Sequence, residues 1–393
     1  MRSFVASRVS AAAASAVSEM LHKARQLEAE GQKLVYLMRG EPDFDTPAHI
    51  REAAGAALQA GQTHYPPIQG LPELRRAVAD RVQRDFGLAL DPDVEVLVTT
   101  GATMGLYVAL MATIEPGDEV LIPDPIYDPY PTIVRMASGV PVRVPTQANS
   151  GGHFSATAEV IEAAVTARTK AILINNPWNP TGTVMTREEL ERLSELARAR
   201  DLLLIVDEIY EKLVFAGHAH TSLAALSPEA RQRTITVNSL SKTYAMTGWR
   251  VGYNIAPPSI TRAMLRIAEQ FSRSASTFVQ AAATRALNGP QEPVDHMMQT
   301  YARRRELLGR LFRKAGLPVN LPEGTFFLFA DIRSFGRSSA ELCKHLLQTA
   351  HVVTMPGSAY GPGGEGYIRL SFAYDETSLI QGVEAITRGL EQV

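Results

Sequence analysis

The five residues Leu202-Leu-Leu-Ile-Val206 are apolar without interruption and run straight into Asp207-Glu-Ile-Tyr210. An apolar run this short, with no polar residue alternating, reads as a strand buried on both faces. Both faces of a sheet are buried only when helices cover it above and below. Neighbouring segments repeat the pattern. Residues 94–99, 119–122, 171–174 and 234–237 read as strands, and 103–114 and 187–200 as amphipathic helices. Strands alternating with helices imply right-handed crossovers and a mostly parallel sheet. Ligands in such sheets sit at the carboxyl ends of the strands, and the polar clusters of this chain fall there.

Beyond about residue 260 the pattern changes. A long helical stretch contains 301–314, short strands are expected at 325–330 and 367–372, and a last helix starts at Glu376. This predicts an α/β domain over 43–284 and a smaller α+β domain built from 1–42 and 285–393. The N-terminal 40 residues carry no parallel-strand signal.

Composition narrows the function classes. The chain has 393 residues, 45% apolar and 20% charged, which excludes a disordered chain or a coiled coil. Lys plus Arg is 39 and Asp plus Glu is 41, a net charge of −2 that gives no argument for nucleic acid or an anionic membrane. No window is long and apolar enough for a membrane helix. A single cysteine, Cys343, excludes an intrachain disulfide and fits a reducing, cytoplasmic compartment. Neither it nor the nine histidines show metal-ligand spacing. The first 18 residues carry Arg2, Arg8 and serines with no acid before Glu19, a transit-peptide composition that we read as an N-terminal helix.

Five polar sites carry the chemistry. In Ser239-Leu-Ser-Lys242 a lysine follows a strand among hydroxyls, with Arg250 eight residues on. A lysine desolvated in a cleft has a lowered pKa and can form a Schiff base, while Ser239, Ser241 and Arg250 suit an anion. Asp207 at the end of the most apolar strand calls for a cationic partner, such as a protonated ring nitrogen. Tyr210 can hydrogen-bond a phenolate oxygen. Asn175-Asn-Pro-Trp-Asn-Pro-Thr-Gly182 holds two Xaa-Pro bonds, either of which can be cis, and projects the amide of Asn179. Gly101-Ala102-Thr103, between strand and helix, is a ready anion site. Arg369 on a short strand suits a carboxylate or, equally, a structural ion pair.

Taken together, in this order and spacing, these elements resemble the class I aminotransferases of the aspartate aminotransferase superfamily, fold-type I pyridoxal-phosphate enzymes. The motifs are Asn-Pro-Thr-Gly182, Asp207-Glu-Ile-Tyr210, the block from Ser239 to Gly252, Gly40-Glu-Pro-Asp-Phe-Asp-Thr-Pro47 and Gly357-Ser-Ala-Tyr360. The resemblance spans the chain from about Ser7 to its end. It implies a seven-stranded sheet in the large domain and pyridoxal 5′-phosphate as cofactor. It implies Lys242 as the Schiff-base lysine and proton shuttle, and Asp207 as partner of the pyridine nitrogen. Tyr210 and Asn179 fall on the ring hydroxyl, Tyr127 and Ile209 on the two ring faces. Ser239, Arg250 and the Ala102-Thr103 turn fall on the phosphate. Tyr65 would reach the phosphate of a neighbouring subunit, which implies a homodimer. Arg369, helped by the Gly40 backbone, would bind the substrate α-carboxylate. The reaction implied is ping-pong transfer of an amino group from an L-amino acid to a 2-oxo acid.

The departures concern the substrate. Aspartate-using relatives place a lysine where this chain has Thr103, and a threonine where it has Val17, which weakens the case for an acidic donor. Arg39, beside Gly40, could supply the missing charge, and Trp178 either lines the pocket or packs. A β-lyase, cyclase or β/γ-replacement enzyme would share Lys242, Asp207 and Arg369. A non-catalytic regulator on the same fold would add a DNA-binding domain, for which about 40 residues before Gly40 leave little room.

Overall fold

The computed structural model describes residues 4–6, 9, 16–317 and 319–392, the side chains of 16–19 excepted. In chain order the strands are β1 (Val35–Tyr36), β2 (Val96–Thr99), β3 (Glu119–Asp124), β4 (Val140–Pro145), β5 (Thr169–Asn175) and β6 (Leu203–Asp207). They continue as β7 (Thr234–Ser239), β8 (Gly252–Ile255), β9 (Phe327–Asp331), β10 (Val352–Val353), β11 (Met355–Pro356) and β12 (Tyr367–Ser371). Seven of them form one sheet in the order β2-β8-β7-β6-β5-β3-β4. Only β8 runs antiparallel to its neighbours. The central strands are buried along nearly their whole length, as the apolar runs require, and each buried aliphatic side chain contributes roughly 1.5–3 kcal/mol.

Two helices start at reciprocal side-chain caps. Thr186 and Glu189 form a reciprocal capping box ahead of the helix Arg187–Ala199, whose Leu190, Leu193 and Leu196 are buried. Ser338 and Glu341 do the same for Ser339–Ala350. Such a cap is worth about 1 kcal/mol.

Strand β4 escapes sequence reading because Val-Pro-Val-Arg-Val-Pro breaks the pattern. It is tolerated because β4 is the edge strand, where a missing N–H costs no ladder bond. Strand β2 begins at Val96 rather than 94, since Glu95 N–H turns back to Asp91 O at 2.9 Å. A second sheet, β11-β12-β9, is antiparallel. The expectation that the N-terminal 40 residues hold no parallel strand is corrected: β1 pairs in parallel with β10, Val35 opposite Val352. Two residues are too short to register as a pattern, and their partner lies over 300 positions away. Arg2, Arg8 and the alanine run 11–14 lie outside the described residues, as does the side chain of Val17.

Candidate functional site

The carboxyl ends of β5 and β6 are level, with Asn175 opposite Asp207, while β7 runs on to Ser239, two residues past the Val237 that faces Asp207. Past them the chain turns away, and a cavity of about 930 Å³ opens. Asp207 forms part of its lining and is 4% exposed. Its Oδ2 accepts from the Tyr130 hydroxyl at 2.6 Å and its Oδ1 from the Ile209 N–H at 3.0 Å. Burial pushes the Asp207 carboxyl up to about 6, against the pull of the Tyr130 hydrogen bond.

Lys242 reaches into the same cavity, where its Nζ donates to the Gly40 carbonyl at 2.5 Å. Burial lowers its ammonium to about 8, with the positive field of Arg369 acting in the same direction and Glu41 opposing it. A lysine so poised carries a reactive neutral fraction at ordinary pH.

Arg369 projects from β12 and is 6% exposed. Its Nη1 donates to Asn179 Oδ1 at 3.0 Å and its Nη2 to the Met38 carbonyl at 3.3 Å, while its Nε has no partner. It lies 3.9 Å from the centroid of Phe327. The backbone N–H of Asn179 is itself held by Asn175 Oδ1 at 2.8 Å. The bonds Asn176–Pro177 and Asn179–Pro180 are both cis, as is Asp124–Pro125.

The anion corner forms at the start of the helix Ala102–Thr113. Gly101 precedes it at φ +84, and a Cβ there would stand 2.6 Å from Arg250 Nη2. Gly252 presses on the same turn, where a Cβ would come within 2.7 Å of the Asn238 carbonyl. Arg250, at φ +54, donates from Nη1 to the Thr247 carbonyl at 3.0 Å. Free helix N–H groups, an arginine fork and close backbone make a cradle for a phosphate.

Of the residues singled out from sequence, Gly40, Ala102, Thr103, Tyr127, Asn179, Asp207, Ile209, Tyr210, Lys242, Arg250 and Arg369 all line this one cavity. Tyr210 is buried, its ring edge-on to Phe326 and Phe327. Ser239 is buried behind the lining, its Oγ accepting from the Ser241 N–H at 3.2 Å, and Ser241 faces the cavity instead. Tyr65 lies away from the cavity of its own chain, 84% exposed beside Arg273. Trp178 packs rather than lines: it is 2% exposed and donates from Nε1 to the Pro125 carbonyl at 2.8 Å. Tyr130 is the residue that sequence reading missed. Its signal was its place three residues after Tyr127, in the Pro-rich first turn of the helix Pro129–Met136.

Away from this cavity, His220 Nε2 lies 3.5 Å from Glu208 Oε2, with Glu211 close by. Glu211 is paired with the buried Arg81. Cys343 is buried, its thiol pushed up to about 12, with Thr354 donating to its sulfur at 3.2 Å. Among the described residues no helix is long and apolar enough to cross a membrane.

The family model of aminotransferase class I and II matches residues 32–386. The aspartate aminotransferase of Geobacillus stearothermophilus is 40% identical, over 98% of this chain and 99% of its own. The chain belongs to the class I and II aminotransferases. The crystal structure of the aspartate aminotransferase from Rhizobium meliloti superposes with a TM-score of 0.94 at 36% identity, covering 99% of both chains. An aromatic aminotransferase from Pyrococcus horikoshii superposes at 0.89 and 39% identity, covering 92% of this chain and 96% of that one. This aminotransferase is therefore a transaminase on the fold its sequence implied, and the relatives do not favour lyase chemistry.

Proposed function

We propose that this transaminase holds pyridoxal 5′-phosphate in the cavity at the ends of β5, β6 and β7, and moves an amino group from an L-amino acid to a 2-oxo acid. The observation that carries the reading is one cavity with the buried, proton-seeking Asp207 in its lining and the desolvated Lys242 beside it. A buried carboxylate facing open space fits a group that brings its own cation, and the Gly101 cradle with Arg250 fits a phosphate. When bound, the cofactor supplies an electron-withdrawing ring that stabilises negative charge at the substrate Cα.

The residues of the chain do the rest. Asp207, oriented by Tyr130, keeps the ring nitrogen protonated. Arg250, Ser241 and the Ala102-Thr103 turn hold the phosphate, with Ser239 behind them accepting from the Ser241 N–H. Tyr127 and Ile209 bracket the ring, and Tyr210 with Asn179 hydrogen-bond its hydroxyl oxygen. Lys242 anchors the cofactor through Nζ and moves the proton of the substrate Cα. Arg369 forks onto the α-carboxylate, and Gly40 closes the pocket with its backbone. Because the amino group is parked between the two half-reactions, the kinetics are ping-pong.

The same reading places Tyr65 against the phosphate of a second subunit in a homodimer; its exposure supports this. It divides the chain into a large domain at 43–284 and a small one from 1–42 and 285–393. The separate β11-β12-β9 sheet supports that division. The single buried cysteine supports a cytoplasmic location.

The test is absorption spectroscopy of the cofactor-loaded protein. An amino acid added alone should bleach the near-visible band, and a 2-oxo acid should restore it. Ammonia release without restoration would overturn the transfer reaction.

A further inference from the structure

The cavity holds four cations, Arg39, Lys242, Arg250 and Arg369. The reading proposed above engages three: Lys242 and Arg250 with the cofactor, Arg369 with the α-carboxylate. Arg39 is left over. Among the described residues it makes no ion pair. Its backbone N–H donates to the Tyr374 hydroxyl at 3.1 Å, and its guanidinium lies over the Tyr374 ring, 4.9 Å from the centroid. Stacking, with a side-chain hydrogen bond to the Tyr374 hydroxyl, fixes the plane of the guanidinium and leaves its other donors for a carboxylate.

Its backbone is held on both sides by residues of the site. The preceding carbonyl, of Met38, accepts from Arg369, and the following one, of Gly40, accepts from Lys242. Arg39 therefore sits between the group that takes the α-carboxylate and the group that works on Cα. Leu21, Tyr36 and Tyr374 add apolar wall to the same cavity. Thr103 brings no charge. Glu41, an acid of the same lining, accepts from the Thr247 hydroxyl at 2.7 Å, and its field falls on Lys242. An alkyl chain ending in a negative charge is the side chain this wall matches.

We propose that Arg39, held on the ring of Tyr374, binds the distal carboxylate of a dicarboxylic amino acid or 2-oxo acid and makes this aminotransferase select acidic substrates. The proposal rests on the roles given above to Lys242, Arg250 and Arg369.

The test is the rate at which the cofactor-loaded protein converts glutamate, aspartate, leucine and phenylalanine, each alone. R39Q should lower kcat/KM for glutamate and aspartate by roughly 10- to 100-fold, mainly through KM, and shift leucine and phenylalanine by less than about threefold. R39K should recover part of the loss, and Y374L should lower the acidic substrates in the same direction by less. An equal fall for both classes, an unchanged rate with glutamate, or a wild-type protein inert to both acids would overturn the assignment. The underlying site reading fails separately: if R369A spares leucine, Arg369 does not bind the α-carboxylate, whatever R39Q does.

Discussion

The Tyr130 hydroxyl donates to Oδ2 of Asp207 at 2.6 Å, both groups buried. The bond joins the first turn of the helix Pro129–Met136 to the end of β6, and it favours the charged form of the carboxylate. Tyr130→Phe keeps the ring and removes the donor. The Asp207 carboxyl should then rise further, and kcat should fall by about tenfold, with the pH profile of the loaded enzyme displaced. An unchanged profile would mean that the hydroxyl only fills space.

Asp207 also predicts a stability window. Its folded value of about 6 lies above the ordinary 3.8, so the folded protein holds this proton more tightly than the unfolded chain. Without cofactor, stability should therefore fall as pH rises from about 4 to about 6, by up to about 3 kcal/mol, and stay level above. Thermal melts of the cofactor-free protein against Asp207→Asn isolate the effect. A difference between the two that is flat across that window would refute it.

Lys242→Ala removes the group that anchors the cofactor and moves the Cα proton. Turnover should drop by about a thousand-fold or more, since positioned proton transfer alone contributes 10²–10⁴. Steady-state rates with a reactive donor and acceptor measure it. Retained turnover would sink the assignment.

Arg369→Ala should raise KM steeply, by roughly 10- to 100-fold, for every amino acid alike, because it takes the group all of them share. A change confined to dicarboxylic substrates would show that its role is wrong.

His153 makes a structural prediction. It sits between Glu189 and Glu323, with Nδ1 2.8 Å from Glu323 Oε1, and these partners raise it to about 9. A raised histidine stabilises fully below about 6.5 and loses that contribution as pH climbs through 9. Discounted for its partial exposure, the amount is about 1–2 kcal/mol. Melting temperatures of wild type and His153→Gln should converge at the alkaline end. A gap that persists above pH 9 would assign the stabilisation to packing.

Much of the fold was legible because its signals are local. The apolar runs of β3, β5, β6 and β7 announce buried strands wherever they occur, and Thr186 with Glu189 marks a helix start within four residues. The edge strand β4 and the short β8 were not legible. A proline-broken edge and a four-residue strand are stabilised by their neighbours, not by their own pattern.

For the site the division runs the same way. The sequence by itself determined that Lys242, Asp207, Asn179 and Arg250 follow strands or turns of one parallel sheet, because residue type and spacing decide where such strands end. Only the tertiary structure decided that Tyr130 holds Asp207, that Ser241 rather than Ser239 faces the cavity, and that Arg39 stacks on Tyr374. Those pairs are 77 and 335 positions apart for Tyr130 and Arg39. Contacts across such separations arise from how the elements pack, which no local pattern along the chain encodes.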